Sequence, residues 1–126
     1  MAHEFMGPWR YTFLPADGSP LATAQRGVIN IMALGDDGSG LQGTDTPSDG
    51  RQPGAVTGSA SPAGATFGNF LHIVKGANEF FDGTVIFTNA AQPPRMIVAG
   101  RHRTPVRGSR PLVDDQAQSI WVATKP

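Results

Sequence analysis

Short apolar runs alternate with clusters of turn-forming residues along the whole chain. The runs are rich in β-branched and aromatic residues, and no stretch of eleven or more residues shows the apolar spacing of an amphipathic helix. The pattern therefore predicts strands, at positions 9–14, 27–34, 40–44, 54–60, 66–74, 79–88, 95–103 and 119–125. Eight strands are enough to close a small barrel. We predict one all-β domain over residues 1–126, an eight-stranded antiparallel up-and-down β-barrel.

The segments between the predicted strands contain the residues that tight turns need. Gly tolerates positive φ, Pro fixes φ, and Asp or Asn side chains bond to the nearby backbone. Two segments are different. Residues 1–7 are predicted to be a flexible end, and residues 104–118 form a connection longer than a hairpin needs, which is typical of a lid over one mouth.

The register of the hairpin between the sixth and seventh strands follows from its residue pattern, because residues that face each other must suit the same environment. With residues 89–94 as the loop, one face is almost wholly apolar and the other is charged. The inner pairs are Phe87–Met96, Val85–Val98, Gly83–Gly100 and Phe81–His102, and the outer pairs are Asp82–Arg101 and Phe80–Arg103. The glycine pair leaves a gap in the inner wall that suits either a ligand or a strand bend.

The same reasoning, with a turn at 75–78, places His72 opposite Phe81, so that His72 and His102 flank this ring inside the barrel. It also directs five apolar side chains outward on adjacent strands: Leu71, Ile73, Phe80, Ile86 and Ile97. A contiguous exposed apolar patch is typical of an interface. The sequence therefore predicts a homodimer or a higher homo-oligomer.

Composition limits the classes of function. The chain has no cysteine, and ten basic residues balance ten acidic ones, so thiol chemistry is absent and no overall field favours nucleic acid. The arginines clustered between positions 95 and 110 are expected to be solvated strand and loop charges, and no nucleic-acid partner is predicted. No secretory pattern or membrane-spanning apolar run is present, so we expect a soluble, cytoplasmic protein without a membrane partner.

The available chemistry lies mainly with two histidines. Motifs for nucleotide binding, serine hydrolysis and paired-carboxylate hydrolysis are missing, and no cofactor is indicated. His72 and His102 are candidate general acid and base residues. They form an incomplete metal shell, so no metal site is predicted, although Glu79 would add a carboxylate if it lay at the mouth. A purely structural role for each histidine is the alternative.

The inner wall predicts a pocket. An eight-stranded barrel has room for packed side chains or for one small ligand. The candidate ligand-binding residues are Trp9, Tyr11, Asn30, Phe70, Phe81, Val85, Met96 and Trp121, with His72 and His102 as polar contacts. We expect binding of a small, largely apolar molecule. The alternatives are a cofactor-independent isomerase or cyclase that uses His72 or His102 as acid or base, and a protein that acts only through its outer patch.

Four short motifs resemble those of the avidin family, within the calycin type of barrel. GPWRYTF (7–13) resembles the opening strand of avidins and lipocalins, and DDGSGLQGT (36–44) is similar to an Asp-Gly hairpin followed by Thr-Gly-Thr. EFFDGTVIF (79–87) resembles the sixth strand and IWVATKP (120–126) the closing strand. The resemblance implies an up-and-down barrel, a ligand cavity at one mouth and oligomerisation. The biotin-site residues of avidins are not matched.

Overall fold

Eight strands form a closed antiparallel barrel in the computed structural model, which describes residues 3–15, 26–48, 50–76, 79–88, 95–105 and 116–125. The strands are β1 (Gly7–Pro15), β2 (Arg26–Ala33), β3 (Leu41–Pro47), β4 (Gly54–Ala60), β5 (Phe70–Lys75), β6 (Glu79–Thr88), β7 (Arg95–Pro105) and β8 (Gln116–Lys125). Each strand pairs with the next in sequence, and β8 pairs with β1. The predicted fold class is confirmed. No helix in the described residues is long and apolar enough to cross a membrane.

Six of the eight strands differ from the predicted bounds at one or both ends, and the starts of β5 and β8 bear most on the prediction. β5 begins at Phe70 because the Ser61 hydroxyl accepts a hydrogen bond from the Phe70 amide and donates one to the Gly68 carbonyl, which holds the preceding segment in a turn. β8 begins at Gln116, so the end of the predicted long loop belongs to a strand. Residues 106–115, the centre of the predicted lid, lie outside the described residues.

The β6–β7 register is the predicted one at every pair, whereas the β5–β6 register differs by one residue. Glu79 faces Lys75, where the sequence analysis placed Val74. The connection is residues 76–78, and Gly76 has a φ of 62°. Glycine adopts this left-handed conformation at little steric cost, which suits the point where the chain leaves β5.

A slip of one residue exchanges the two faces of a strand, because side chains alternate. Leu71 and Ile73 are 1% and 0% exposed inside the barrel, so their predicted place in an outer patch is wrong. Phe70 is 43% exposed and His72 lies beside it on the outer face, so their predicted place in an inner pocket is also wrong. Of the other three residues of the predicted outer patch, Ile86 is exposed, and Phe80 and Ile97 are half-buried.

The barrel interior is filled by its own side chains. Trp9, Phe13, Phe81, Val98 and Trp121 are at most 1% exposed. A side chain that lined a cavity wide enough for water would keep accessible surface. The middle of this barrel is therefore a packed core, which is one of the two states open to an eight-stranded barrel.

The paired glycines of the inner wall serve this packing. Trp121 faces Gly100, and its indole Nε1–H donates a hydrogen bond of 3.0 Å to the Asp82 carbonyl across the glycine pair. A Cβ on Gly100 would lie 1.8 Å from that same carbonyl oxygen. Close strand approach requires the glycine, and the indole covers the gap, which the sequence analysis left open to either a ligand or a strand bend.

The N-terminal segment closes one end of the barrel, the first mouth, where β1, β3, β5 and β7 begin. His3 Nε2–H donates to the Ser61 carbonyl at 2.8 Å, and the Phe5 amide donates to His3 Nδ1 at 3.2 Å. Trp9 Nε1–H donates to the Phe5 carbonyl at 2.9 Å. His3 and Phe5 are buried, so this part of the predicted flexible end belongs to the core.

Candidate functional site

The opposite end of the barrel, the second mouth, holds a cluster of polar side chains. Alternation along the strands points these positions inward, next to buried apolar neighbours. Six of the residues lie on strands and one, Arg51, lies on the β3–β4 connection. The polar mouth cluster consists of Tyr11, Asp45, Arg51, Lys75, Glu79, His102 and Ser119.

Asp45 is the buried centre of one half of the cluster. Its side chain is 0% exposed, and it accepts hydrogen bonds from the Tyr11 hydroxyl at 2.6 Å and from Lys75 Nζ at 2.7 Å. Burial raises the pKa of Tyr11 far above its usual value, and the hydrogen bond to the Asp45 carboxylate raises it further. Tyr11 is therefore a neutral phenol whose hydroxyl donates a hydrogen bond to the Asp45 carboxylate.

Arg51 connects the two halves of the cluster. Its Nη2 donates to the Tyr11 hydroxyl at 2.7 Å, and its guanidinium carbon lies 4.7 Å from the centre of the Phe13 ring. This contact is within cation–π range. The Phe13 ring in turn stacks on the His102 imidazole, with ring centres 4.2 Å apart. A guanidinium and an imidazole therefore share one aromatic partner at the mouth.

His102 is held by partners on both ring nitrogens. Nε2 lies 3.0 Å from Glu79 Oε2, and Nδ1 lies 3.2 Å from Ser119 Oγ. Burial raises the pKa of Glu79, but the hydrogen bond and charge of His102, together with Lys75 and Arg51, outweigh burial and leave this pKa below its usual value. An ionised carboxylate only accepts hydrogen bonds, so Nε2 carries a proton.

The structure brings three predicted site residues to the second mouth or directly beneath it. Tyr11 and His102 belong to the cluster, and the Phe81 ring lies 4.6 Å from the His102 ring, centre to centre. Trp121 lies one layer deeper, 5.6 Å from Phe81. Glu79, which would add a carboxylate if it lay at the mouth, does lie there and contacts His102.

Other predicted site residues lie elsewhere. Three are buried in the core and are not part of the cluster: Trp9, Val85 and Met96. Asn30 is half-buried on the outer face of β2, because Ile29 and Ile31 occupy the inner positions. The structure therefore does not bring these four residues together with Tyr11 in one pocket.

The two predicted catalytic histidines lie on opposite faces of the wall. His72 contacts Asp82 on the outer face, and Arg103 donates to the same carboxylate at 2.7 Å. The His72 side chain is 42% exposed, against 11% for His102. The prediction that both imidazoles flank Phe81 is wrong, and His102 alone remains at the candidate site.

Sequence reasoning missed four members of the cluster. Side chains two residues apart on a strand share a face. Asp45 lies four residues after the inward-facing Leu41, and Ser119 lies two residues before the inward-facing Trp121, so alternation alone places both inside. Lys75 also becomes inward-facing once the β5–β6 register is corrected. Arg51 is on a connection and has no periodic signal.

Two grooves on the outer wall are separate from this cluster. One, of about 440 Å³, is lined mainly by apolar atoms on β2, β3 and β4, including Met32, Ala55 and Thr57. The other, also about 440 Å³, lies over Gly83 and Gly100. In the described ranges, no three His, Asp or Glu side chains converge to hold a metal ion.

Comparison with known proteins does not assign the chain. No protein-family model matches it, and neither a curated protein nor a solved structure matches it. A small eight-stranded barrel is shared by families with unrelated functions. The fold therefore does not identify the avidin family, and function has to be argued from the residues of the second mouth.

Proposed function

We propose that the protein binds a small molecule at the second mouth, with an apolar body and an anionic or carbonyl end. The observation that supports this is the polar mouth cluster itself, which places ionisable groups at the end of a packed apolar barrel. The proposal keeps the small apolar ligand expected from the sequence but moves its site from the barrel centre to the mouth.

Asp45 and Lys75 form an ion pair that is almost fully buried. Removing a carboxylate and an ammonium from water costs several kcal/mol per ion, and their attraction offsets this only in part. An apolar pair would close the mouth at lower cost. Local violations of the rule for apolar interiors are expected where function requires them. The cluster is therefore a better candidate site than the neutral, aliphatic parts of the wall.

Long side chains close this mouth, and their movement offers a route inward. Arg51 is half-buried, and Lys75 and Glu79 are 13% and 19% exposed. Each of these side chains has several rotatable bonds and reaches solvent at the mouth, so it can change rotamer without opening the strands. Rotation of Arg51 away from Phe13 would uncover that ring for the apolar body of a ligand. The guanidinium would then be free to pair with the anionic end.

Anilinonaphthalene sulfonate is a suitable probe, because it combines apolar rings with one anionic group. We expect the folded protein to bind one molecule of the probe with a rise in fluorescence. Arg51→Ala should weaken binding about 10- to 100-fold, the loss expected for one hydrogen bond to a charged group. Fluorescence titration of both proteins measures this ratio.

The matched control is Arg10→Ala, because Arg10 is exposed on the outer face of β1. It removes the same charge without touching the cluster, so probe affinity should stay within about 2-fold of the wild type, since only long-range screened charge is lost. Equal losses for both variants, or binding only under conditions that unfold the protein, would count against the mouth as a ligand site. Near-ultraviolet circular dichroism verifies that the fold is intact.

A second candidate function is a cofactor-independent isomerase or cyclase that uses His102. The supporting observation is that Glu79 binds Nε2, so that Nδ1 of the neutral imidazole is a proton acceptor at the mouth, where its present partner is the Ser119 hydroxyl. Substrate binding with His102→Gln should then persist while turnover falls by about 10²- to 10⁴-fold. His72→Gln on the outer wall is the control and should leave turnover unchanged.

A further inference from the structure

The second mouth brings a serine, a histidine and a glutamate into one hydrogen-bonded row. Ser119 on β8 and His102 on β7 are directly opposite each other across the strand pair, and Glu79 begins the adjacent strand β6. The distances are 3.2 Å from Ser119 Oγ to His102 Nδ1 and 3.0 Å from His102 Nε2 to Glu79 Oε2. No short sequence motif marks this row, because its members come from three strands.

The charge state of the row sets the direction of its hydrogen bonds. The Glu79 carboxylate is an acceptor, so His102 donates through Nε2–H. In the neutral imidazole, Nδ1 then has a lone pair that accepts a hydrogen bond from the Ser119 hydroxyl. This is the arrangement of an activated nucleophile: a hydroxyl, a base within hydrogen-bond reach and a third group that orients the base.

We propose that Ser119 is a nucleophile for acyl transfer from small carboxylic esters, with His102 as its general base and Glu79 as the residue that positions His102. This inference places the ester at the mouth where ligand binding is proposed, and it assigns a reaction class that the binding proposal does not require. It differs from isomerisation because a covalent acyl-enzyme forms.

The reaction balances with an ester and water as the reactants. Ser119 Oγ forms a bond to the ester carbonyl carbon while its proton moves to His102 Nδ1. The bond from that carbon to the alkoxy oxygen then breaks, and His102 returns the proton to the leaving alcohol. In the second half, a water oxygen bonds to the acyl carbon and gives a proton to His102. The bond from that carbon to Ser119 Oγ then breaks, and His102 returns the proton to Oγ, so that the carboxylic acid leaves and the Ser119 hydroxyl is restored.

Two neighbours of the row fit the charge that develops in such a step. Lys75 faces Glu79 across β5 and β6, and the Arg51 guanidinium lies over the Phe13 ring that stacks on His102. A nearby guanidinium favours the oxyanion of a tetrahedral intermediate, particularly in a partly dehydrated site. The Phe13 ring stacks on His102 beneath the Arg51 guanidinium, so rotation of Arg51 would uncover apolar surface for a small acyl group.

The test uses two reagents on the folded protein. An alkyl fluorophosphonate transfers its phosphonyl group to an activated serine with loss of fluoride, and p-nitrophenyl acetate reports acyl transfer by release of p-nitrophenolate. Peptide mass spectrometry locates the covalent adduct. We expect the adduct on Ser119, its absence in Ser119→Ala, and a loss of about 10²- to 10⁴-fold in labelling rate in His102→Gln.

The chain offers a matched control on the outer wall. Ser59 faces His72 across β4 and β5, and His72 contacts Asp82, so the same residue types lie together outside the barrel. Ser59→Ala should be labelled at the wild-type rate. Glu79→Gln should slow labelling, because an amide does not hold His102 Nε2–H as an ionised carboxylate does, and Glu79→Asp should restore part of the rate. A merely structural Glu79 would lower yield or stability and leave the labelling rate of the folded molecules unchanged.

The outcomes separate this inference from the binding proposal. Labelling of folded wild type no faster than of Ser119→Ala, or an adduct on Ser59 or a lysine, overturns the assignment of Ser119. If the sulfonate probe still binds with its Arg51 dependence in that case, only the acyl-transfer inference fails. If Ser119 reacts but the probe does not bind, the binding proposal fails and the nucleophile stands.

Discussion

Gly27 makes room for the Tyr11 hydroxyl, and an alanine there should disrupt the polar mouth cluster without removing any of its side chains. A Cβ at this position would lie 2.4 Å from Tyr11 Oη and 2.6 Å from its Cζ. Ordinary contact requires about 3.4 Å or more, so the ring has to move by roughly 1 Å. That displacement breaks or lengthens the 2.6 Å bond to Asp45 and the 2.7 Å bond from Arg51.

The expected cost follows from two contributions. Overpacking a tight site costs about 1–3 kcal/mol, and loss of a hydrogen bond to a buried carboxylate costs about 1.5–3 kcal/mol. We therefore expect Gly27→Ala to lower the free energy of unfolding by about 2–5 kcal/mol, since the two contributions overlap in part. Urea unfolding near neutral pH measures this difference.

A double-mutant cycle with Tyr11→Phe tests the cause. Without the hydroxyl, both the closest clash and the two hydrogen bonds are absent, so Gly27→Ala should cost about 1 kcal/mol less than in the wild type. Gly54→Ala is the control, because its Cβ would meet only the flexible Lys75 side chain, at 3.2 Å. Equal costs at the two glycines, or no coupling between Gly27 and Tyr11, would refute this account of the mouth.

Three further predictions concern residues outside that pair. His3→Ala leaves two buried backbone groups without a partner and should lower the free energy of unfolding by about 1–3 kcal/mol for each group. His72→Ala on the exposed wall should lower it by about 1 kcal/mol or less. Thermal and urea unfolding of the two variants measure the difference. The pKa of Glu79 is lowered in the fold, so its carboxylate stabilises the fold above the unfolded-state pKa of 4.5, and this advantage is lost as pH falls through the lower folded value. The stability difference between wild type and Glu79→Gln should therefore shrink on acidification, and a constant difference would contradict the shift. Trp121→Phe removes the donor to the Asp82 carbonyl and leaves space over Gly100, which should cost about 2–4 kcal/mol; a cost below about 0.5 kcal/mol would show that the indole does not seal the glycine gap.

The barrel was predictable because its signals are local. Alternating residues and glycine- or proline-rich breaks located all eight strands, and the pairing of Asp82 with Arg101 and Phe81 with His102 followed from matching faces. The β5–β6 register was not predictable in the same way. The faces of β5 are apolar on both sides, so the correct loop at 76–78 and the rejected loop at 75–78 give similarly apolar patterns.

The candidate site was only partly predictable, because it depends on contacts between distant strands. Tyr11 and His102 were recognisable as polar groups on inward positions. Asp45 looks in sequence like a turn-side acidic residue, and its burial depends on the Lys75 ammonium and Tyr11 hydroxyl that come to it from other strands. Ser119 becomes a candidate nucleophile only through its contact with the His102 imidazole on the neighbouring strand.

Amide chemical-shift mapping during a titration with anilinonaphthalene sulfonate tests the location of the site most directly. We expect the largest amide shift changes around Tyr11, Arg51 and His102, and we expect Arg51→Ala to lose these changes. Shifts concentrated at Met32 and Thr57, on the outer groove of β2 to β4, would contradict it and place the ligand on the outer wall.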